Sequence, residues 1–184
     1  MQVLYFATRI HWSIPEDKAC IKLKEQIQYP ILLGDLLYSR FYALICRFEL
    51  QQYLAYLATL IGNIHEEHVL SNEKKKQNLP EEHHILQIYS LLGETACFLA
   101  AHLLVGKTFL SEVIKQLGQH LGILKGIREE GYDPYRYLAK WYCTWELLEL
   151  LPPSLGREYF EDILLGFGRQ WGLERPPVCK NLHA

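Results

Sequence analysis

Apolar residues return every three or four positions along almost the whole of this 184-residue chain, in runs separated by proline, glycine or polar stretches. That is the period of amphipathic helices, whereas a half-buried strand alternates with a period of two. No stretch shows such alternation bounded by turn residues, so the fold class is all-α, an antiparallel helical bundle. The breakers set the expected elements. A helix over 1–10 carries Val3, Leu4, Ala7 and Ile10 at helical spacing, and Pro15 ends its pattern before a short helix over 16–28. An amphipathic helix over 48–70 aligns Leu50, Tyr53, Leu54, Leu57, Leu60, Ile61 and Ile64. Residues 71–80 are polar and carry Asn, Lys, Gln and Pro, so they form a linker between two helical halves of one domain, 1–172. Further helices are expected over 81–105, where the repeat runs from Ile85 to Leu103, then 109–129, 135–150 and 155–170, with a loose tail at 173–184.

Between the first two breakers and the long amphipathic helix lies the most unusual stretch, Tyr29 to Ile45. Pro30 suits the first turn of a helix, which needs no amide donor there. From Ile31 onward apolar residues fall on every side of the helix wheel, the pattern of a buried helix. Asp35 is set into it, with Tyr38, Ser39, Tyr42 and Cys46 following at intervals of three or four. A carboxylate on such a helix calls for a partner, from Arg40, from a hydroxyl on a facing helix or from another chain. The helix over 109–129 poses a second problem. Gly118, Gly122 and Gly126 recur every four residues, each costing about 1 kcal/mol against alanine. Close approach of a neighbouring backbone is the expected compensation. Gly131 then ends that helix, Asp133 caps the next and Pro134 opens it.

Charge and cysteine usage exclude several classes. The net charge is −2, and the one basic run, Lys74 to Lys76, sits in the polar linker, so nucleic acid is not an expected partner. At 49% hydrophobic and 12% aromatic, the chain has apolar surface to spare for a partner subunit. Five scattered cysteines, Cys20, Cys46, Cys97, Cys143 and Cys179, make no Cys-x-x-Cys pair and read as buried, reduced thiols, pointing to a soluble cytoplasmic protein. No apolar run is long enough to span a membrane.

His65-Glu66-Glu67-His68 is the most metal-like cluster, yet it lacks the His-Glu-x-x-His spacing and lies at the polar end of a helix, where a solvated face is expected. His83-His84 read as surface residues, and Cys179 with His183 is too little for a metal site. There is no Gly-x-Ser-x-Gly elbow and no glycine-rich phosphate loop following a strand.

Four blocks resemble the helical core of trans-prenyl diphosphate synthases. The first is His11-Trp12-Ser13, where those enzymes carry a histidine followed by an aspartate-rich motif. The second and most specific is Gly34-Asp35-Leu36-Leu37-Tyr38-Ser39-Arg40-Phe41-Tyr42, similar to their Gly-Asp-x-Leu-x-(Ser/Ala)-Arg helix. The third is Glu94-Thr95-Ala96-Cys97-Phe98 with Gly106 trailing it, and the fourth runs from Gly118 and Gly122 to Glu129-Glu130-Gly131-Tyr132-Asp133, near the second aspartate-rich motif. Trp12 and Ser13 cannot replace the first motif's carboxylates, and Lys125 and Gly126 depart from the second. The chain thereby resembles the non-catalytic small subunit of two-component heptaprenyl diphosphate synthase, and Ile64-His65-Glu66 is similar to a segment of that subunit.

The resemblance implies an isoprenoid-synthase-like bundle, shortened at its N-terminus and inactive alone. It implies a heterodimer or larger complex with a catalytic polyprenyl diphosphate synthase subunit. That partner would hold magnesium, farnesyl diphosphate and isopentenyl diphosphate, and the complex would make the side chain of menaquinone. No catalytic, metal or cofactor residue is assigned to this chain, with Glu129, Glu130 and Asp133 as weak metal candidates. Gly34, Asp35, Ser39, Arg40 and Tyr42 are the candidates for structural or partner contact. The rivals are a stand-alone helical interaction module, a degenerate prenyltransferase with residual magnesium and diphosphate binding, and a haem or metal binder using His65 and His68.

Overall fold

The computed structural model describes residues 1–14, 24–106 and 108–177. Among the described residues there are seven α-helices and no strand: α1 Gln2–Trp12, α2 Lys24–Arg47, α3 Leu54–Lys76, α4 Glu82–Val105, α5 Phe109–Glu130, α6 Leu138–Glu149 and α7 Leu155–Trp171. Short 3-10 turns at Gln51–Tyr53 and Pro134–Tyr137 precede α3 and α6. The chain divides into two compact units, Met1–Glu73 and Lys74–Ala184. That boundary falls in the polar segment, although helix continues through Lys76. Three lysines in the last turn suit the negative end of the helix dipole. Asn78 then adopts φ +54°, and the Leu79 N–H returns to the Lys74 carbonyl at 2.9 Å.

In the first unit α1 lies antiparallel to α2, because Thr8 meets Tyr38 while His11 meets Gly34. Leu4, Ala7, Tyr53, Leu57, Leu60 and Ile64 are buried. Helix α2 differs from the sequence expectation in two ways. Residues 15–23 lie outside the described residues, but from Lys24 the expected short helix and the central helix are one, so Pro30 stands inside it rather than in its first turn. A proline there removes one ladder hydrogen bond and costs about 3 kcal/mol. The helix is also not buried all round. Gly34, Phe41 and Ile45 are covered, whereas Tyr29, Leu32 and Leu36 are 69%, 68% and 64% exposed. The wheel of apolar residues reports composition, not how many neighbours are present to cover it.

In the second unit the glycine problem is resolved. Helices α4 and α5 run antiparallel at backbone contact: a Cβ on Gly122 would lie 2.1 Å from the Tyr89 carbonyl oxygen, and one on Gly118 2.4 Å from that of Gly93. Gly93 is thus the counterpart on α4. Helix α5 starts with a capping box between Thr108 and Ser111 and ends at Gly131, φ +72°. Asp133 caps the 3-10 turn, accepting from the Tyr135 N–H at 3.0 Å. Val113, Leu117, Leu124 and Ile127 of α5 form one core with Trp141, Trp145 and Leu148 of α6 and Leu164 and Phe167 of α7.

Three further expectations change. The start of the tail is docked: Leu173 packs on this core, the Trp141 indole donates to the Glu174 carbonyl, and Arg175 bonds Glu149 at 2.7 Å and also Glu161. Cys179 and His183 lie outside the described residues. Cys46 and Cys143 are exposed rather than buried, because both fall on outer helix faces; Cys97 alone fits the expectation in part, and Cys20 is outside the described residues. Leu103, placed by periodicity on an inner face, is half exposed near the end of α4, beyond the last of that helix's glycine contacts.

Candidate functional site

Two polar junctions gather the chemistry-bearing side chains, one in each unit. The first joins three helices. Helix α1 supplies Thr8, His11 and Trp12, α2 supplies Gly34, Asp35 and Tyr38, and α3 supplies His65, His68 and Asn72. The absence of a side chain at Gly34 makes room for the His11 ring, since a Cβ there would be 2.4 Å from His11 Nε2. That nitrogen lies 3.6 Å from Asp35 Oδ1, and the His11 ring sits 5.5 Å from that of Tyr38. Asp35 is therefore not a buried carboxylate on an apolar helix. Its side chain is 64% exposed, with His11 as its partner.

Tyr38 extends the chain of contacts. Its hydroxyl hydrogen-bonds the Thr8 side chain and stands 3.4 Å from His65 Nε2. Burial raises the tyrosine pKa, while burial and the nearby His11 charge lower that of His65. Both groups are thus neutral at pH 7, and the geometry suits a Tyr38 hydroxyl donating to an unprotonated imidazole nitrogen. His68 stacks on Trp12 at 5.1 Å and contacts Asn72 at 3.3 Å. The expected solvated face at 65–68 is therefore partly engaged: the two histidines turn to different partners, while Glu66 is exposed. His83 and His84 pack edge to face, 5.5 Å apart, at the start of α4.

The second junction lies at the end of α5. Tyr89 donates to Glu129 Oε2 and Glu130 Oε1 at 3.0 and 2.7 Å, and Lys125 pairs with Glu129 at 3.4 Å. Asp133 is turned to its capping bond instead. Nearby, Glu82 of α4 takes Arg136 at 2.8 Å and the Tyr137 hydroxyl. Burial first, then the charges of Glu130, Glu81 and Glu82, push the Tyr132 phenol up to about 12. Among the described residues no three His, Cys, Asp or Glu side chains are grouped to hold a metal ion.

The remaining candidates sit at the surface or in packing. Ser39 and Arg40 are exposed, and Tyr42 lies edge-on to Phe41 at 5.7 Å. In the third block Glu94 accepts from Gln119 at 2.7 Å and pairs with Lys115 at 3.2 Å, Thr95 is buried, and burial pushes the Cys97 thiol up to about 11. Sequence reasoning missed the link from His11 to Asp35 and that from Tyr38 to His65. It also missed His120, which lies between α5 and α6 against Lys140 and Thr144. The spacing of Leu4, Thr8 and His11 on one face of α1 is the signal that could have pointed to the first.

The fold and these junctions define an all-α chain in which no helix, among the described residues, is long and apolar enough to cross a membrane. Compared with known proteins, it matches no family model, no curated protein and no solved structure.

Proposed function

We propose that this chain is the non-catalytic subunit of a two-component polyprenyl diphosphate synthase, of the kind that makes the heptaprenyl side chain of menaquinone. It would pair with a catalytic subunit, which holds magnesium and the farnesyl and isopentenyl diphosphates, bury apolar surface against it and set product length. The observation that carries this reading is the packing of the first two sequence blocks on one another, His11 closing over Gly34 and reaching Asp35.

The work done at the motif positions supports it. Metal-assisted prenyl transfer needs carboxylates on facing helices to hold magnesium against diphosphate. Here Trp12 stacks on His68, the Ser13 hydroxyl donates to the Ile10 carbonyl, and Asp133 caps a turn. A second reading, a stand-alone helical interaction module, is favoured by the uncovered apolar face of α2. A degenerate prenyltransferase would rest on Glu129 and Glu130, which Tyr89 brings together.

The test is co-expression with the catalytic prenyl synthase subunit of the same genome, followed by elongation assays with magnesium on each chain and on the mixture. The expected result is a stable complex whose activity or product length neither chain has alone. A mixture that forms no complex and behaves as the catalytic subunit alone would overturn the proposal. Magnesium-dependent activity of the purified chain would favour the degenerate enzyme.

A further inference from the structure

The outer face of α2 carries Tyr29, Leu32, Leu36, Ser39, Ala43 and Cys46 at alternating intervals of three and four, the spacing of a coiled-coil seam, and all six are exposed. Their sizes are graded. The three large side chains occupy the N-terminal half, and the three small ones the C-terminal half. We infer that this face pairs with the same face of a second copy of the chain, antiparallel and about a two-fold axis.

The argument is self-complementarity. A two-fold axis between residues 37 and 38 sets Tyr29 against Cys46, Leu32 against Ala43 and Leu36 against Ser39, and then repeats the three pairs in reverse. Every layer joins one large and one small side chain, so the layers fill evenly. A parallel pair would instead set leucine on leucine at one end and leave gaps at the other. Asp35 and Arg40, one on each flank and both exposed, supply a polar rim. The seam is about 25 Å long. This inference does not depend on the proposed synthase role, because it concerns contact between copies only.

The test uses the full chain. Tyr29→Cys, mildly oxidised, should yield a covalent dimer whose peptide map joins position 29 of one copy to Cys46 of the other. The wild-type chain should give no link between the two copies of Cys46, which the antiparallel arrangement holds about 25 Å apart. Leu36→Ser should weaken dimerisation about tenfold or more in sedimentation equilibrium, while adding Ser39→Leu to it should return affinity to within about threefold of wild type. Circular dichroism checks that each variant keeps its helical content. A wild-type chain that is monomeric at about 100 μM, a link between the two copies of Cys46, or a double variant no better than Leu36→Ser would overturn the inference.

Discussion

At the scale of single residues, the glycines separate two physical situations that the sequence writes with the same letter. Gly122 is buried where its neighbour's backbone leaves no room, whereas nothing lies within 4 Å of a Cβ added at Gly62 in α3. Alanine raises helix propensity at both by about 1 kcal/mol, but at Gly122 it must push a carbonyl away, and overpacking costs about 1–3 kcal/mol or more. Gly122→Ala should therefore lower stability in urea unfolding, and Gly62→Ala should raise it by about 0.5–1 kcal/mol. Equal effects at the two sites would refute the backbone-contact account. The glycine spacing on α5 was legible because it repeats. Its partner Gly93 was not, since one glycine in a helix has no period to reveal it.

His120 gives a residue-scale prediction of another kind. Its Nε2 lies 3.3 Å from Lys140 Nζ, and burial followed by that ammonium charge pushes its pKa from 6.5 down to about 4. Between those values the unfolded chain binds a proton that the folded chain refuses, so stability falls as pH drops from about 6.5 towards 4. His120→Gln should flatten the slope in that window, read by urea unfolding at a series of pH values. An unchanged slope would assign the dependence to other groups. Asp35 carries the complementary lesson. Its apolar surroundings in sequence implied burial, yet the carboxylate is exposed and finds its partner on α1, because helix periodicity cannot say which neighbour arrives beside it.

At the scale of elements, the ends marked by a cap residue were legible, because a cap acts locally, while α3 starts and ends about six residues later than its apolar repeat indicates. Gly131 adopts the left-handed backbone of a helix stop, and Asp133 accepts the capping bond expected of it. Helix α2 departs from its expected start for a comparably physical reason. Proline is equally allowed at a helix start and, at a cost, inside a helix held by tertiary contacts, and the local sequence does not separate the two. Pro30→Ala should thus restore a ladder bond and stabilise the chain by about 1–3 kcal/mol, seen as a higher urea midpoint. No gain would place Pro30 effectively in a first turn. Removing a cap works in the opposite direction: Thr108→Ala, which opens the box with Ser111, should cost about 1 kcal/mol.

At the scale of the whole molecule, the fold class was legible because it is a long-range average over many residues, whereas the polar stretch 71–80 is helical through Lys76, with Ser71 buried, and only its last residues form a connection. The junctions were not legible, since they depend on which helix faces meet. The same distinction predicts where the chain tolerates added length. Residues 77–80 are exposed and connect α3 to α4, so added length there displaces no buried side chain. Lengthening such a loop costs only loop-closure entropy, about 0.6 kcal/mol per doubling. A Gly-Ser-Gly-Ser insertion after Asn78 should therefore change stability by about 0.5 kcal/mol. The same insertion after Leu121 breaks the α4–α5 backbone contact and the α5 ladder together, and should unfold the second unit, read as lost helical ellipticity and near-ultraviolet tryptophan signal. If the insertion after Asn78 proved as damaging, the polar segment would be a packed element rather than a connection, and the division of the chain at Glu73 and Lys74 would be wrong.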